Sequence, residues 1–192
     1  MSREAFMELP AEERVGRTRS ALAKGVPLFE SWLELDPAVS VEWSPRAAQA
    51  AIMLEGASSV ADLGCGHMQL KRYLRPDQFY VPVDLVGREV RTIVFDFNRD
   101  RLPHIDADYF AALGLLEYIY DIDGFLRDLR VNFVGGVASF FTRNGTTESY
   151  RVSNGWVNHH TLDELRSLLI ATGFGIYDER EWRKDHYLFL LK

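Results

Sequence analysis

An acidic residue and two glycines follow a short apolar strand between Val60 and Leu70. Gly64 and Gly66 leave room for a ligand to approach the backbone at the carboxyl end of that strand, although two glycines alone fit an ordinary tight turn equally well. Asp62 would repel a pyrophosphate but would attract an ammonium or sulfonium charge. The dinucleotide pattern G-x-G-x-x-G also fails, because Gln69 stands three residues after Gly66. The turn therefore favours S-adenosylmethionine over NAD as its ligand.

The neighbouring segments strengthen this interpretation. The run Asp62-Leu63-Gly64-Cys65-Gly66 resembles motif I of the class I S-adenosylmethionine-dependent methyltransferases, and further matches follow in the family's order. Asp84 ends an apolar run and is similar to the family's ribose-binding carboxylate, which accepts hydrogen bonds from both hydroxyls. Asp96, followed by Phe97, is similar to the family's adenine-reading acid. The segment 108–118, followed by an aspartate, resembles the family's fourth-strand motif.

The resemblance implies a set of residues that bind the cofactor around the turn and at the ends of the next strands. These are Asp62, Gly64, Cys65, Gly66, His67, Asp84, Leu85, Asp96, Phe97 and Gly114.

The chain departs from the family pattern at three places. Met68 stands where many members have a small residue, and Tyr118 stands where many have histidine. Only the seven residues 85–91 separate Asp84 from the next strand, which is short for a helical crossover between parallel strands. We expect a reduced or irregular second helix there.

Methyl transfer needs a general base only if the acceptor must lose a proton. The candidates are His159, His160 and Glu117, with His67 better suited to the methionine end of the cofactor. The alternative for the paired histidines is that one of them hydrogen-bonds the start of the following helix. The residues expected to contact the acceptor are Trp32, Tyr118, Tyr150 and Trp156, and the acceptor itself is taken to be a small molecule or a saccharide-like compound, methylated on oxygen, nitrogen or carbon.

Composition narrows the class of protein. The 192 residues suffice for one α/β domain, and the formal charge of −6 disfavours binding to long nucleic acid. No apolar run approaches the ~20 residues that span a bilayer, and the amino terminus shows no hydrophobic signal segment, so we expect a cytoplasmic protein without a membrane partner. Cys65 is the single cysteine, and the histidines show no metal-binding spacing, so no metal site is predicted. Oligomeric state is left open.

The chain divides into an amino-terminal helical extension, residues 1–43, and a cofactor-binding domain, residues 44–192. The extension is predicted to hold a charged helix over Ala11–Lys24 and an apolar one over Pro27–Leu35, which contains Phe29, Leu33 and Leu35. It would form either a lid over the site or a packing layer on one face of the sheet.

The domain is predicted to be a Rossmann-like three-layer α/β sandwich with a seven-stranded, mostly parallel sheet and an antiparallel strand near the carboxyl-terminal edge. Helices are expected after Ser44, with Pro45 in the first turn, after Asp121, and after Thr161, which begins a capping box with Glu164. The last two strands are placed at 174–177 and 187–191, separated by a charged turn over 178–186. The proposed activity is methyl transfer, and the alternative is a non-catalytic methyltransferase-like binding or regulatory protein.

Overall fold

The structure is a computed structural model and describes residues 3–28, 32 and 41–192. Most of the predicted apolar helix over Pro27–Leu35, including Phe29, Leu33 and Leu35, lies outside the described residues. The described strands form one sheet in the order β3-β2-β1-β4-β5-β7-β6. Their bounds are β1 Ser59–Leu63, β2 Phe79–Asp84, β3 Ile93–Val94, β4 Tyr109–Leu113, β5 Gly135–Phe141, β6 Ile176–Arg183 and β7 His186–Leu191.

The sheet is parallel except for one strand. β7 runs antiparallel to both of its neighbours, β5 and β6, and all other pairs are parallel. This confirms the predicted mostly parallel sheet with an antiparallel strand near the carboxyl-terminal edge. The central strands β1, β4 and β5 are buried apolar runs, as expected for strands covered on both faces.

Helices cover the two faces of the sheet. The described α-helices are α1 Arg3–Glu8, α2 Ala11–Lys24, α3 Ser44–Met53, α4 Ile122–Asn132, α5 Glu148–Ser153 and α6 Leu162–Ala171. α4 and α6 bury Leu126 and Leu165 in one apolar layer with Phe110, while α3 buries Ala50 in a second layer with Val137. The helix, sheet and helix layers form the predicted three-layer sandwich.

Short sequence signals account for where several of these helices begin. The Thr161 side chain accepts from the backbone of Glu164, whose own side chain accepts from the Thr161 backbone, so α6 begins with the predicted capping box. Asp121 caps α4 by accepting from Gly124 N. Ser44 is the first residue of α3 rather than its cap, and its hydroxyl instead donates to Gln69 Oε1 at 3.2 Å.

The carboxyl-terminal hairpin differs from the prediction. β6 extends through the charged stretch to Arg183, so the predicted turn over 178–186 is wrong and only residues 184–185 form the turn. An edge strand tolerates charged side chains because one of its faces meets water. The extension matters for the site, because β6 runs parallel to the central strands and therefore ends with them at the same edge of the sheet.

The crossover between β2 and β3 contains no helix at all, where its short length had predicted a reduced or irregular one. The segment after the glycine turn likewise forms only a short 3₁₀ turn, Leu70–Arg72. Both connections are irregular and lie beside the carboxyl ends of β1 and β2. The carboxyl ends of β1 and β2 are therefore bordered by irregular loops and not by α-helices.

Candidate functional site

The turn after β1 has the backbone conformation that a ligand cradle requires. Gly64 and Gly66 have φ values of 73° and 49°, in the left-handed region that favours glycine. Met68 adopts φ 54° at the position where many family members have a small residue. A β-carbon at Gly64 would come within 3.3 Å of the Leu115 side chain, so this turn cannot carry a side chain without displacing its neighbour.

Asp84, the last residue of β2, connects the glycine turn after β1 to β2 through a hydrogen bond. Its Oδ2 accepts from Gly66 N at 2.8 Å, and its Oδ1 accepts from Val86 N at 3.0 Å. The guanidinium of Arg88 lies 3.3 Å from Oδ1 and also donates to the Trp32 carbonyl at 2.7 Å. The carboxylate is 5% exposed, and its two oxygens offer about four acceptor sites in all, so it has acceptor capacity beyond these three bonds.

Asp62 lies inside the site, with 3% of its surface exposed. The Tyr80 hydroxyl donates to its Oδ2 at 2.7 Å. Burial, together with the nearby charge of Asp84, raises the pKa of Asp62 to about 7, against the lowering effect of Tyr80 and Arg46. The carboxyl therefore titrates close to neutrality, and a cation bound beside it would favour its ionised form.

The loop after β3 forms a further wall. Asp96 accepts from Asn98 N at 3.0 Å, and the Phe97 ring packs edge-on against Phe95 at 5.4 Å. Asn98 ties this loop to the segment after β4, because its side chain donates to the Tyr118 carbonyl. A flat apolar ring beside a carboxylate is suited to a heteroaromatic base.

One cavity of about 290 Å³ joins these parts at the carboxyl edge of the parallel strands. Open α/β sheets bind their ligands at this edge. The predicted cofactor residues all line the cavity, namely Asp62, Gly64, Cys65, Gly66, His67, Asp84, Leu85, Asp96, Phe97 and Gly114.

Cys65 lines the cavity as a protonated thiol, and its role there is to fill space. Its side chain is 7% exposed, and burial together with the charges of Asp62 and Asp84 raises the pKa of the thiol. A protonated, buried thiol is a weak nucleophile.

Several buried polar atoms of the lining have no hydrogen-bond partner among the described residues. They are Thr18 Oγ1, Arg46 Nε, Glu117 Oε2 and Trp182 Nε1, and all four residues line the cavity. Buried polar atoms in native proteins are nearly always paired, so such a concentration is typical of a site that a ligand completes.

Arg46 and Glu117 place opposite charges in the lining of the cavity. A β-carbon on Gly114 would lie 2.5 Å from Arg46 Nη1, so the guanidinium occupies the space that this glycine leaves at the end of β4. Burial lowers the pKa of Arg46 and raises that of Glu117, while each charge favours the ionised form of the other. Glu117 Oε1 accepts from Phe141 N at 2.8 Å, and its buried Oε2 has no hydrogen-bond partner among the described residues.

Aromatic side chains form another part of the cavity lining. All four tryptophans of the chain line the cavity: Trp32, Trp43, Trp156 and Trp182. His186 stacks on Trp182 with ring centroids 5.4 Å apart and packs on Phe141 at 4.0 Å. Phe141 in turn contacts Trp156, whose Nε1 donates to the Tyr118 hydroxyl at 2.9 Å. Trp182, His186, Phe141 and Trp156 thus contact one another in turn, and of these four only Phe141 does not line the cavity.

The predicted acceptor-binding residues divide into two groups. Trp32, Tyr118 and Trp156 line the cavity, and Trp32 packs edge-on against Tyr118 at 5.1 Å. Tyr150 does not line the cavity; it lies on α5 and is 51% exposed. Its ring only reaches Trp156, at 6.3 Å.

The paired histidines also lie outside the lining, whereas Glu117 lies within it. His159 Nδ1 accepts from Arg151 Nε at 3.3 Å, and the His160 ring packs 6.1 Å from Phe140. Burial and the charge of Arg151 lower the pKa of His159. This arrangement gives no support to a general-base role for either histidine.

The loop that carries His159 and His160 is held away from the cavity by contacts of Arg151. Its side chain is fully buried and donates to the Thr142 carbonyl at 3.0 Å and to the Asn158 carbonyl at 2.8 Å. The same guanidinium lies 5.1 Å from the Trp156 ring. It therefore fixes Trp156 toward the cavity and directs the two histidines elsewhere.

Sequence reasoning missed Arg46, Trp182 and His186. Arg46 lies on a helix that precedes the glycine turn, where no local motif marks it. Trp182 and His186 fell within the stretch predicted as a charged turn. Burial and the charges of Arg46 and Arg183 lower the pKa of His186 to about 3, so its imidazole is neutral near pH 7. Only Trp182 carried a signal in its residue type, because tryptophan is enriched where an apolar ring and a polar N–H are both used in binding.

Comparison with known proteins agrees with this geometry. Neither the protein-family models nor the curated proteins gave a match. Among solved structures, the chain superposes on a candidate O-methyltransferase from Nostoc punctiforme with a TM-score of 0.70 at 15% identity, covering 97% of this chain and 71% of that one. It superposes on human N-acetylserotonin methyltransferase bound to S-adenosylmethionine with a TM-score of 0.62 at 17% identity, covering 95% and 56%. For NcsB1, an O-methyltransferase from neocarzinostatin biosynthesis bound to S-adenosylmethionine and a naphthoic acid, the TM-score is 0.62 at 14% identity, covering 95% and 68%.

These likenesses show that the chain has the fold of class I S-adenosylmethionine-dependent methyltransferases, as the sequence motifs implied. The chain spans little more than half the length of the human enzyme and about seven tenths of the Nostoc protein. In the described part of the chain, no helix is both long enough and apolar enough to cross a membrane.

Proposed function

We propose that this protein is an S-adenosylmethionine-dependent methyltransferase that acts on a hydroxyl group of a small molecule. The observation that carries the proposal is the convergence of all ten predicted cofactor residues on one cavity whose lining also holds unpaired buried polar atoms. The structural neighbours that bind S-adenosylmethionine support the choice of cofactor.

The donor set of the cavity fits that cofactor. Asp62 would attract its positively charged methionine end, and the Arg46 guanidinium would pair with the methionine carboxylate. Asp84 has acceptor capacity for a ribose hydroxyl, and Phe97 offers a flat apolar surface to the adenine. The methionine end, the ribose and the adenine ring would thus each face a complementary group of this chain.

When bound, S-adenosylmethionine would supply an electrophilic methyl group, whose transfer to the acceptor oxygen breaks the carbon–sulfur bond and leaves neutral S-adenosylhomocysteine. The chain would mainly hold the acceptor in line with that methyl group. Glu117 is the proposed general base, because it lines the cavity, its buried Oε2 has no hydrogen-bond partner among the described residues, and its raised pKa makes it a stronger proton acceptor.

The amino-terminal extension is proposed to act as a lid, with residues 44–192 forming the cofactor-binding domain. Arg3, Thr18 and Trp32 of the extension line the cavity, and Arg88 donates to the Trp32 carbonyl from beside Asp84. Tyr120 ties the same segment down through a 2.6 Å hydrogen bond to the Val26 carbonyl. A cover of this kind excludes water from the reacting groups.

A small acceptor suits the partly enclosed site and the net charge of −6, which disfavours a long nucleic acid. The single cysteine fits a cytoplasmic location.

One observation favours the second candidate, a methyltransferase-like protein without catalysis. Arg88 already pairs with the carboxylate proposed to bind ribose. If that ion pair persists, Asp84 has less capacity for the cofactor.

Calorimetric titration with S-adenosylmethionine and S-adenosylhomocysteine, with NAD as the control ligand, separates the candidates. Micromolar binding of the first two alone supports the enzyme and justifies a screen of acceptors. Absence of binding contradicts the proposed cofactor and favours the second candidate, the non-catalytic protein.

A further inference from the structure

Two buried N–H groups in the lining of the cavity have no hydrogen-bond partner among the described residues. They are Trp182 Nε1, on β6, and Arg46 Nε, on α3. The guanidinium carbon of Arg46 lies 6.0 Å from the centre of the Trp182 ring, so the two side chains are neighbours. An indole N–H and a guanidinium can donate hydrogen bonds but cannot accept them. A ligand that reaches this part of the cavity must therefore present acceptor atoms.

The charges around these two donors favour an anion over a neutral acceptor. Arg183 follows Trp182 on β6 and also lines the cavity. His186 stacks on the Trp182 ring. Burial, followed by the charges of Arg46, Arg183 and Arg151, lowers the pKa of this imidazole to about 3. The imidazole is therefore neutral near pH 7 and lies in a positive potential, in which a bound anion would be stabilised.

The charged groups that the cofactor does not use have the same overall sign. Asp62, Asp84 and Asp96 belong to the proposed cofactor site, and Arg88 pairs with Asp84. The other arginines and acidic residues of the described lining are three arginines and two glutamates, namely Arg3, Arg46, Arg183, Glu42 and Glu117. Burial raises the pKa of Glu117 and so favours its neutral form. This part of the lining thus has an excess of positive charge, although the chain as a whole carries −6.

We propose that the methyl acceptor is an acidic small molecule, whose oxyanion accepts hydrogen bonds from Trp182 Nε1 and Arg46 Nε and lies close to the guanidinium of Arg183. This rests on the proposed function and specifies the substrate class of the same cavity. A guanidinium presents N–H donors along two edges, so Arg46 could pair with the methionine carboxylate through one edge and donate Nε to the acceptor. An anchored oxyanion would also fix the orientation of the acceptor, which in-line methyl transfer requires.

Titration followed by nuclear magnetic resonance, with protein saturated with S-adenosylhomocysteine, tests the proposal. Saturation fills the position of the methionine carboxylate, so an acidic probe cannot bind there. The four tryptophans of the chain give four indole N–H signals, and the signal that is lost in Trp182→Phe belongs to Trp182. The probes are cyclohexanecarboxylate, cyclohexylphosphonate, the neutral cyclohexanecarboxamide, and acetate as a carboxylate without the ring.

We expect an acidic cyclohexyl probe to shift the Trp182 indole proton downfield and to bind at least about tenfold more tightly than the amide, since charged acceptors form stronger hydrogen bonds. The carboxylate and the phosphonate distinguish the two common oxyanions. The Trp156 indole should shift less, because it already donates to the Tyr118 hydroxyl. An amide that binds as tightly as both acids would overturn the proposal. Acetate binding as tight as that of cyclohexanecarboxylate would overturn it too, because the site would then hold a free ion and not part of an acceptor.

Variants locate the anion. Arg183→Met should weaken binding of the acidic probe by about threefold and leave the amide unchanged, and Arg183 is exposed, so the variant should fold. Arg180→Met is the matched control, because Arg180 lies on the same strand but pairs with Asp178 and does not line the cavity. Trp182→Phe keeps a ring but loses the N–H, and should weaken the acid by roughly tenfold. Equal effects of Arg183→Met and Arg180→Met would contradict a local anion site.

The outcomes separate the two levels of the argument. Failure of S-adenosylhomocysteine to bind the unmodified protein would contradict the proposed function. Normal binding of S-adenosylhomocysteine, with acidic probes that bind no more tightly than the amide, would overturn the acidic acceptor alone.

Discussion

Arg88 and Asp84 form an ion pair at 3.3 Å at the carboxyl end of β2, with side chains only 9% and 8% exposed. Asp84 also holds Gly66 N, so one carboxylate connects the glycine turn, the crossover and, through Arg88, the extension. Any ligand that hydrogen-bonds to Asp84 must therefore join or rearrange this network.

Replacing Asp84 by alanine should weaken binding of S-adenosylhomocysteine. Loss of hydrogen bonds to a buried carboxylate costs about 1–3 kcal/mol, or roughly 5- to 150-fold in Kd. Titration calorimetry measures the change, with circular dichroism to confirm folding. Asp77→Ala is the control, since Asp77 is exposed and pairs only with Arg75 outside the cavity. An unchanged Kd for Asp84→Ala would remove Asp84 from the ribose site.

The buried Asp62 should make the protein less stable as pH rises. Its pKa goes from an ordinary value of 3.8 to about 7 in the folded state, so the folded state binds more protons between these values. The stabilisation that Asp62 contributes is therefore fully present below pH 4 and is lost as pH rises through about 7. Asp62→Asn should flatten this part of the profile and raise the free energy of unfolding at pH 8. Urea unfolding from pH 4.5 to 8 tests this, and a variant as pH-dependent as the parent would contradict it.

The same carboxyl should give cofactor binding the opposite pH dependence. If ionised Asp62 attracts the α-ammonium group, which S-adenosylhomocysteine shares with S-adenosylmethionine, affinity for S-adenosylhomocysteine should fall as pH drops below about 7, approaching roughly tenfold per unit. Titrations at pH 5.5, 6.5, 7.5 and 8.5 measure the slope. In Asp62→Asn the slope should disappear, and affinity at pH 8 should fall. A parent protein whose affinity is constant over this range would count against the role of Asp62.

Glu117 and the paired histidines should behave differently in turnover. Once an acceptor is found, Glu117→Gln should lower kcat by about 10²–10⁴-fold while leaving the Kd for S-adenosylhomocysteine close to that of the parent. The glutamine carbonyl can still accept from Phe141 N, which preserves the local structure. His160→Ala is the matched control and should leave kcat unchanged. If His159→Ala or His160→Ala abolishes turnover and Glu117→Gln does not, the base has been assigned to the wrong residue.

Arg151→Met should destabilise the fold. It removes the donors to the buried carbonyls of Thr142 and Asn158, and each carbonyl left unpaired costs about 1–3 kcal/mol. Thermal and urea unfolding report the loss. Arg127→Met is a suitable control, because Arg127 forms an exposed ion pair with Asp123. Equal stability of the two variants would contradict the structural role given to Arg151.

The sequence by itself predicted which residues line the part of the cavity proposed to bind the cofactor. Asp62, Gly64 and Asp84 stand at the ends of apolar strands, and the carboxyl ends of parallel strands meet at one edge of a sheet whatever the remaining contacts are. The capping box at Thr161 and the irregular crossover after Asp84 could also be predicted from the sequence. The first depends on a few neighbouring residues, and the second depends on the length of the connection alone.

Only the tertiary structure decided which residues line the part of the cavity proposed to bind the acceptor. Arg46, Trp182 and His186 come from elements that are distant in sequence, and they meet because β7 inserts between β5 and β6 and brings the hairpin turn to the carboxyl edge of the sheet. His159 and His160 had the chemistry of a base, but the hydrogen bonds of Arg151 direct their loop away from the cavity. A residue's type can suggest chemistry, whereas its direction depends on packing contacts that have no fixed spacing along the chain.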